Sequence, residues 1–177
     1  MSEPTRRHLV LVGLMGAGKT TVGARVAAIL GRPFVDTDDL VETRTGRTVA
    51  ELFAAGEPTF RAAERDAVAD ACASPAPLVI GCGGGAVLDP DTRRRLRAAG
   101  FVVWLRAAPD VLAARVAADQ TDRPLLAREG GLPTLTRLAE TRAAAYDAAA
   151  DVSVSTDGRD PDQVAAAVLE ELDRCAA

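Results

Sequence analysis

"HLVLVGLMGAGKTTVGARVAAIL", residues 8–30, contains a strand, a turn and a helix in one breath. His8 to Val12 is a short apolar run rich in β-branched residues, the pattern of a fully buried strand. Val22, Val26, Ile29 and Leu30 share one face of a helix predicted over Lys19 to Leu30, and Gly31 and Pro33 stop it. Between them, Gly13 to Thr20 reads "GLMGAGKT". It fits G-x-x-x-x-G-K-[ST] in the strand–loop–helix setting that gives this motif its meaning. Gly13, Gly16 and Gly18 let the backbone curl with its N–H groups turned inward. The helix start adds its positive dipole end and its unpaired donors. Gly16, Ala17, Gly18, Lys19, Thr20 and Thr21 are therefore candidates to hold nucleotide phosphates, with the Thr20 hydroxyl offered to Mg²⁺. Lys19 is the sole lysine among 21 basic residues. A compact ammonium suits a ring of backbone N–H groups better than a broad guanidinium does.

Outward from this unit, the chain alternates short apolar runs with helical patterns. "PFVD" predicts a strand ending at Asp36, "PLVIG" a third strand, "FVVWL" (Phe101 to Leu105) a fourth and "DVSVS" a fifth. Helices are predicted from Pro58 to about Cys72, from about Pro109 to Ala118, and from about Pro133 to Ala149. "TVAE" (Thr48 to Glu51) and "DPDQ" (Asp160 to Gln163) read as capping boxes that open two more. Asp119 to Gly131, polar and bracketed by glycines, reads as a mobile loop. Five strands alternating with helices imply an α/β fold: a parallel sheet with helices on both faces.

The 177 residues suit one domain with a sizeable core, and 48% hydrophobic residues argue for a globular chain. A net charge of −4 gives no sign of a nucleic-acid surface. The tract Arg93-Arg94-Arg95-Leu96-Arg97 reads as a solvated helix face. Three cysteines, Cys72, Cys82 and Cys175, fit neither a disulfide framework nor a metal site and point to a reducing cytoplasm. The start of the chain lacks the cleavage pattern of a leader, and no apolar run is long enough to span a membrane.

A phosphate loop implies a nucleotide, not a reaction. The chain contains no asparagine, so the Asn-Lys-x-Asp guanine motif of GTPases cannot exist here. "LVIG" lacks the terminal aspartate of a usual Walker B strand, and the chain is short for a motor ATPase. A small-molecule kinase remains. The strand that ends in acids is "FVDTDD". Alternation along extended backbone would send Asp36 and Asp38 to one side, at the ligand-binding end of a parallel sheet. Asp36 is then the candidate for the outer shell of Mg²⁺, and Asp38 for binding and deprotonating a hydroxyl. A helix N-cap is the competing reading, better suited to Asp39. Arg61 and Arg142 lie on separate predicted helices, and spacing alone does not lift them above surface arginines. Arg123, in the loop, could swing over a transferred phosphate.

Together, "GLMGAGKTT", "FVDTDDLVETRTGRTVAELF", "GEPTFRAAE", "GCGGGAV", "RPLL", "TRAAAY" and "STDGRDP" resemble the shikimate kinase family in order and spacing over nearly the whole chain. The resemblance implies a single three-layer α/β/α domain over 1–177, with strand order 2-3-1-4-5. It implies a phosphate loop at 13–20, a substrate-binding region at about 36–65 and a lid at about 119–131. It also implies transfer of the ATP γ-phosphoryl to the 3-hydroxyl of shikimate, a step toward the aromatic amino acids. The family's shikimate ligands fall on Asp38, Arg61, Gly84 and Arg142, the two arginines gripping the substrate carboxylate. Arg123 matches the lid arginine on ATP phosphate and Arg159 an arginine beside adenine, with Arg115 a weaker adenine-side candidate. Lys19, Asp36, Asp38 and Arg123 make the catalytic set, and a monomer is expected. Cys82 has no assigned role and reads as a small buried residue, its closeness to the substrate loop adding an expectation of sensitivity to oxidation. Two other readings stand beside this one: another small P-loop kinase, such as a gluconate kinase, and a nucleotide-binding regulatory protein without catalysis.

Overall fold

The computed structural model describes residues 7–119 and 131–176. Strand β1 (His8–Val12) is buried at every position. It is central because it pairs in parallel with β3 (Val79–Gly81) on one side and β4 (Gly100–Arg106) on the other. Strand β2 (Phe34–Asp36) adds beyond β3, and β5 (Val152–Ser155) beyond β4. The order is β2-β3-β1-β4-β5, all parallel. A parallel sheet covered on both faces needs apolar side chains on both sides of each inner strand, which is why "LVLV" and "FVV" carry no polar alternation.

Helix α1 (Lys19–Leu30) follows the phosphate loop, as its sequence predicts. One residue departs from expectation: Ile29 is 65% exposed. The buried arc runs through Val22, Gly23, Val26 and Ala27. At about 100° per residue, Ile29 sits roughly 90° from the middle of that arc.

Between β2 and β3 come three helices: α2 (Thr37–Thr45), α3 (Val49–Ala55) and α4 (Glu57–Ala73). Thr48 and Glu51 form both bonds of the expected capping box at α3. Along α4, Phe60, Glu64, Ala67, Val68 and Ala71 are buried at helical spacing. Val41, Leu52, Phe60 and Ala67 form a small apolar cluster apart from the main core. That cluster ties the three helices into one block beside the sheet.

Helix α5 (Pro90–Ala99) carries the arginine tract, with Arg94, Arg95 and Arg97 exposed. Helix α6 (Pro109–Ala118) follows β4. Helix α7 (Gly131–Ala149) starts two residues before its expected position, with Pro133 in its first turn, where proline is tolerated. Helix α8 (Pro161–Ala176) opens on the expected box: Asp160 N donates to Gln163 Oε1, and Gln163 N to Asp160 Oδ1. Among the described residues, no helix is long and apolar enough to cross a membrane.

Candidate active site

The phosphate loop leaves β1 at its carboxyl end and turns through Gly13, Gly16 and Gly18, with φ of 148°, 82° and 93°. Side-chain-bearing residues rarely adopt such values, so each glycine serves the curl directly. Gly18 caps α1 without a side chain, which leaves the helix N-terminus open toward the loop. The Lys19 ammonium donates to the carbonyls of Gly13 (2.8 Å) and Leu14 (3.0 Å), so it lies across the loop.

At the end of β2 the structure departs from the alternation argument. The strand stops at Asp36, and Asp38 lies in the first turn of α2 rather than on extended backbone. The N-cap is Asp36, not Asp39: its Oδ1 accepts from Asp38 N at 3.0 Å. Its other oxygen, Oδ2, accepts from the Thr20 hydroxyl at 2.9 Å. One carboxylate thus starts a helix and touches the phosphate loop. A helical first turn, not a pleat, brings Asp38 to the same side.

Asp38 sits in an acidic corner. Burial pushes its pKa up to about 6, with Asp36 and Glu64 adding repulsion and Lys19 opposing it. Its Oδ1 and the Oε1 of Glu64 are buried, and neither has a hydrogen-bond partner among the described residues. A Cβ on Gly83 would lie 2.8 Å from Asp38 Oδ1 and 2.6 Å from Glu64 Oε1, so only glycine leaves room for both carboxylates. Unpaired buried carboxylate oxygens are costly unless a donor arrives, and a ligand hydroxyl is such a donor.

Arg61 and Arg142 face this corner from two helices. Arg61 donates to Glu64 Oε2 at 2.7 Å and, through Nε and Nη2, to Glu57 Oε1. Its guanidinium carbon lies 5.7 Å and 5.2 Å from the ring centroids of Phe53 and Phe60, which stack on each other. Burial works against its charge, yet Glu64 and Glu57 outweigh that and hold its pKa above the ordinary value. Arg142, buried on α7, donates to the Gly84 carbonyl at 2.9 Å. Its partner in that bond is shared: the Tyr146 hydroxyl donates to the same oxygen at 2.6 Å. Gly83 N donates to the buried Thr37 hydroxyl at 3.0 Å, which fixes the other end of the glycine loop.

At the opposite end, Arg115 reaches from α6 to Thr156, donating to both its hydroxyl and its carbonyl at 2.9 Å, and to Gly16 O at 3.3 Å. Arg159 donates to Ser155 O at 3.4 Å. Both line one cavity of about 780 Å³. The same cavity is lined by the phosphate loop, Thr20, Thr21, Asp36, Asp38, Arg61, Gly84 and Arg142. Every expected site residue within the described part of the chain therefore meets in one place. Arg123 lies outside the described residues.

Three side chains at this site carry no role in the sequence reading. Glu64 follows Arg61 by three residues and Tyr146 follows Arg142 by four, spacings that put each pair on one helical face. Thr37 has no comparable signal, because its partner, Gly83, is remote in sequence. Cys82 is buried, as its sequence reading has it, but the expected sensitivity to oxidation does not follow. It is fully enclosed, and burial pushes its thiol well above the ordinary value. A protonated, inaccessible thiol is a poor target for oxidation.

A phosphate loop at the carboxyl end of a parallel sheet, with acidic and arginine-lined space beside it, defines a P-loop phosphotransferase of small molecules. The family model described as shikimate kinase matches residues 15–173. A shikimate kinase from Symbiobacterium thermophilum is 49% identical over 167 residues, covering 93% of this chain and 95% of that one. The solved shikimate kinase from Acinetobacter baumannii in complex with shikimate superposes with a TM-score of 0.89 at 34% identity, covering 96% and 94% of the two chains. A gluconokinase from Sinorhizobium meliloti has a TM-score of 0.65 at 21% identity, covering 97% and 94%, a likeness of fold alone. The chain belongs to the shikimate kinase family.

Proposed function

We propose that this protein transfers the γ-phosphoryl group of ATP to the 3-hydroxyl of shikimate, giving shikimate 3-phosphate and ADP. The observation that carries this reading is the acidic and arginine-lined corner beside the phosphate loop. Asp38 has a buried, unpartnered oxygen there, and two arginines stand across a glycine loop from it. An acid with ring hydroxyls matches that corner: carboxylate to the arginine forks, hydroxyl to Asp38.

In the proposed mechanism Arg61 and Arg142 grip the substrate carboxylate and fix the ring, so its 3-hydroxyl points at the γ-phosphorus. The Glu57, Glu64, Phe53 and Phe60 shell holds Arg61 still while it does so. Asp38 accepts the hydroxyl proton as the new O–P bond forms and the bond to the β,γ-bridging oxygen breaks. A pKa near 6 leaves it ionised at neutral pH yet basic enough to accept. Lys19, withdrawn from Gly13 and Leu14, and the loop N–H groups balance phosphate charge. The Thr20 hydroxyl and Asp36 carboxylate, in contact and both oxygen donors, suit Mg²⁺, a hard cation that takes few protein ligands beside phosphates and water. When bound there, Mg²⁺ supplies neutralisation of the phosphate oxygens. Arg123, on sequence alone, is assigned to the transferring phosphate, and 119–131 to a lid. Arg115 and Arg159 are assigned to the adenine end. A cytoplasmic monomer, serving aromatic amino-acid synthesis, completes the proposal.

A coupled ADP-release assay with shikimate, quinate and gluconate side by side tests it. Shikimate-dependent release exceeding the other two is the expected result. Release with gluconate alone would favour the sugar-acid kinases that share this fold, and no release with any acid would favour a binding protein.

A further inference from the structure

The glycine loop at Gly83–Gly85 is held from beneath by a chain of rings that the reaction does not use. Tyr146 is 1% exposed, and its hydroxyl donates to the Gly84 carbonyl at 2.6 Å. Its ring stacks on Trp104 with centroids 5.3 Å apart, and the Arg106 guanidinium carbon lies 4.8 Å from the centroid of that indole. Trp104 belongs to β4, whose backbone is paired to β1 opposite Val12. The hydroxyl is therefore anchored to the sheet through stacked rings, with little freedom to turn. Burial pushes the phenol up to about 12, so it stays a donor at any pH of interest.

Gly84 O accepts from two groups, Tyr146 and Arg142. The peptide is trans and planar, so fixing this carbonyl toward α7 points the Gly85 N–H the opposite way. Arg142 has competing duties there, because a guanidinium that grips a ligand carboxylate cannot also hold the loop carbonyl with full strength. Tyr146 has no ligand to grip in the proposed mechanism, and its hydroxyl also lies against the Arg142 guanidinium.

We propose that Tyr146 is a positioning residue for acid binding: its hydroxyl holds the Gly84 carbonyl, which frees Arg142 for the substrate carboxylate and keeps the glycine loop in place. This rests on the proposed function. Without the hydroxyl, the carbonyl draws more on Arg142, and the acid binds less well. The nucleotide end, built from the phosphate loop, Arg115 and Thr156, is untouched.

Tyr146→Phe removes one oxygen and keeps the ring stack. Its KM for shikimate should rise roughly threefold to tenfold, the range for one lost hydrogen bond, while KM for ATP stays put. Loss of folded protein lowers kcat but leaves both Michaelis constants alone, so the split separates positioning from stability. In an Arg142→Ala background the same substitution should raise KM for shikimate little further, because the two act through one carbonyl. An unchanged KM for shikimate in Tyr146→Phe would overturn the proposal. So would an equal factor in both backgrounds, which would make the residues independent. Absence of shikimate turnover by the unaltered protein would sink the functional reading itself, and this proposal with it.

Discussion

Asp38 is held where its charge is expensive. Its pKa rises from 3.8 to about 6 because it is buried beside Asp36 and Glu64. The folded state thus binds a proton more readily than the unfolded chain. Stability is therefore unaffected below about pH 4 and is reduced as pH rises through 6. Asp38→Asn should raise the unfolding free energy above pH 6 by roughly 1–3 kcal/mol and leave it unchanged below pH 4, read by urea denaturation at both. The same variant should lose most shikimate phosphorylation while binding ADP normally. In the wild type, kcat/KM for shikimate should fall as pH drops below about 6, because the proton acceptor is then occupied. Lys19→Arg keeps the charge but brings a wide planar group to a ring that the ammonium spans by bonding two carbonyls. Turnover should fall roughly 100-fold or more, and a near-normal kcat would show that charge alone suffices.

Elements join through a few polar contacts that apolar patterning does not reveal. His8 is one: its Nδ1 accepts from Leu78 N at 3.1 Å, so the ring proton is on Nε2, 3.2 Å from Cys72 O. The neutral ring thus joins β1 to the end of α4 and the start of β3. Burial, then Arg7 and Arg32, holds its pKa below 6.5. Above 6.5 the ring is neutral folded or unfolded, and its two bonds contribute in full. As pH falls below that value, the unfolded chain takes up a proton that the fold resists. The stability margin of wild type over His8→Gln should therefore narrow below pH 6.5 in paired urea titrations. This kind of contact also marks the limit of what the sequence made legible. "HLVLV", "FVVWL" and both capping boxes were readable because their signals are local. The short helix α2 was not, since its start is set by Asp36, whose side chain serves the helix and Thr20 at once. Arg61 and Arg142 had no local signal above that of surface arginines. Their roles come from the family likeness, and their partners, Glu64 and Gly84, become apparent only when helices and glycine loop are brought together.

At the scale of the whole molecule, the parallel sheet places the phosphate loop, the end of β2 and the glycine loop after β3 side by side. A single cavity follows, with the phosphate loop between an acid-lined end and the Arg115–Thr156 end. The large exposed apolar residues among those described are Ile29, Leu88 and Leu132. For the proposed monomer, light scattering behind size exclusion should give a mass near 18.4 kDa, whereas twice that value would contradict it. The central claim is that this cavity presents one particular hydroxyl of shikimate to ATP. The most direct measurement is phosphorus–proton correlation NMR of the product formed from shikimate, ATP and Mg²⁺. A single new phosphomonoester, coupled to the proton on the 3-carbon, is the result the proposed function predicts. Phosphate on another carbon, or no phosphomonoester at all, would contradict it.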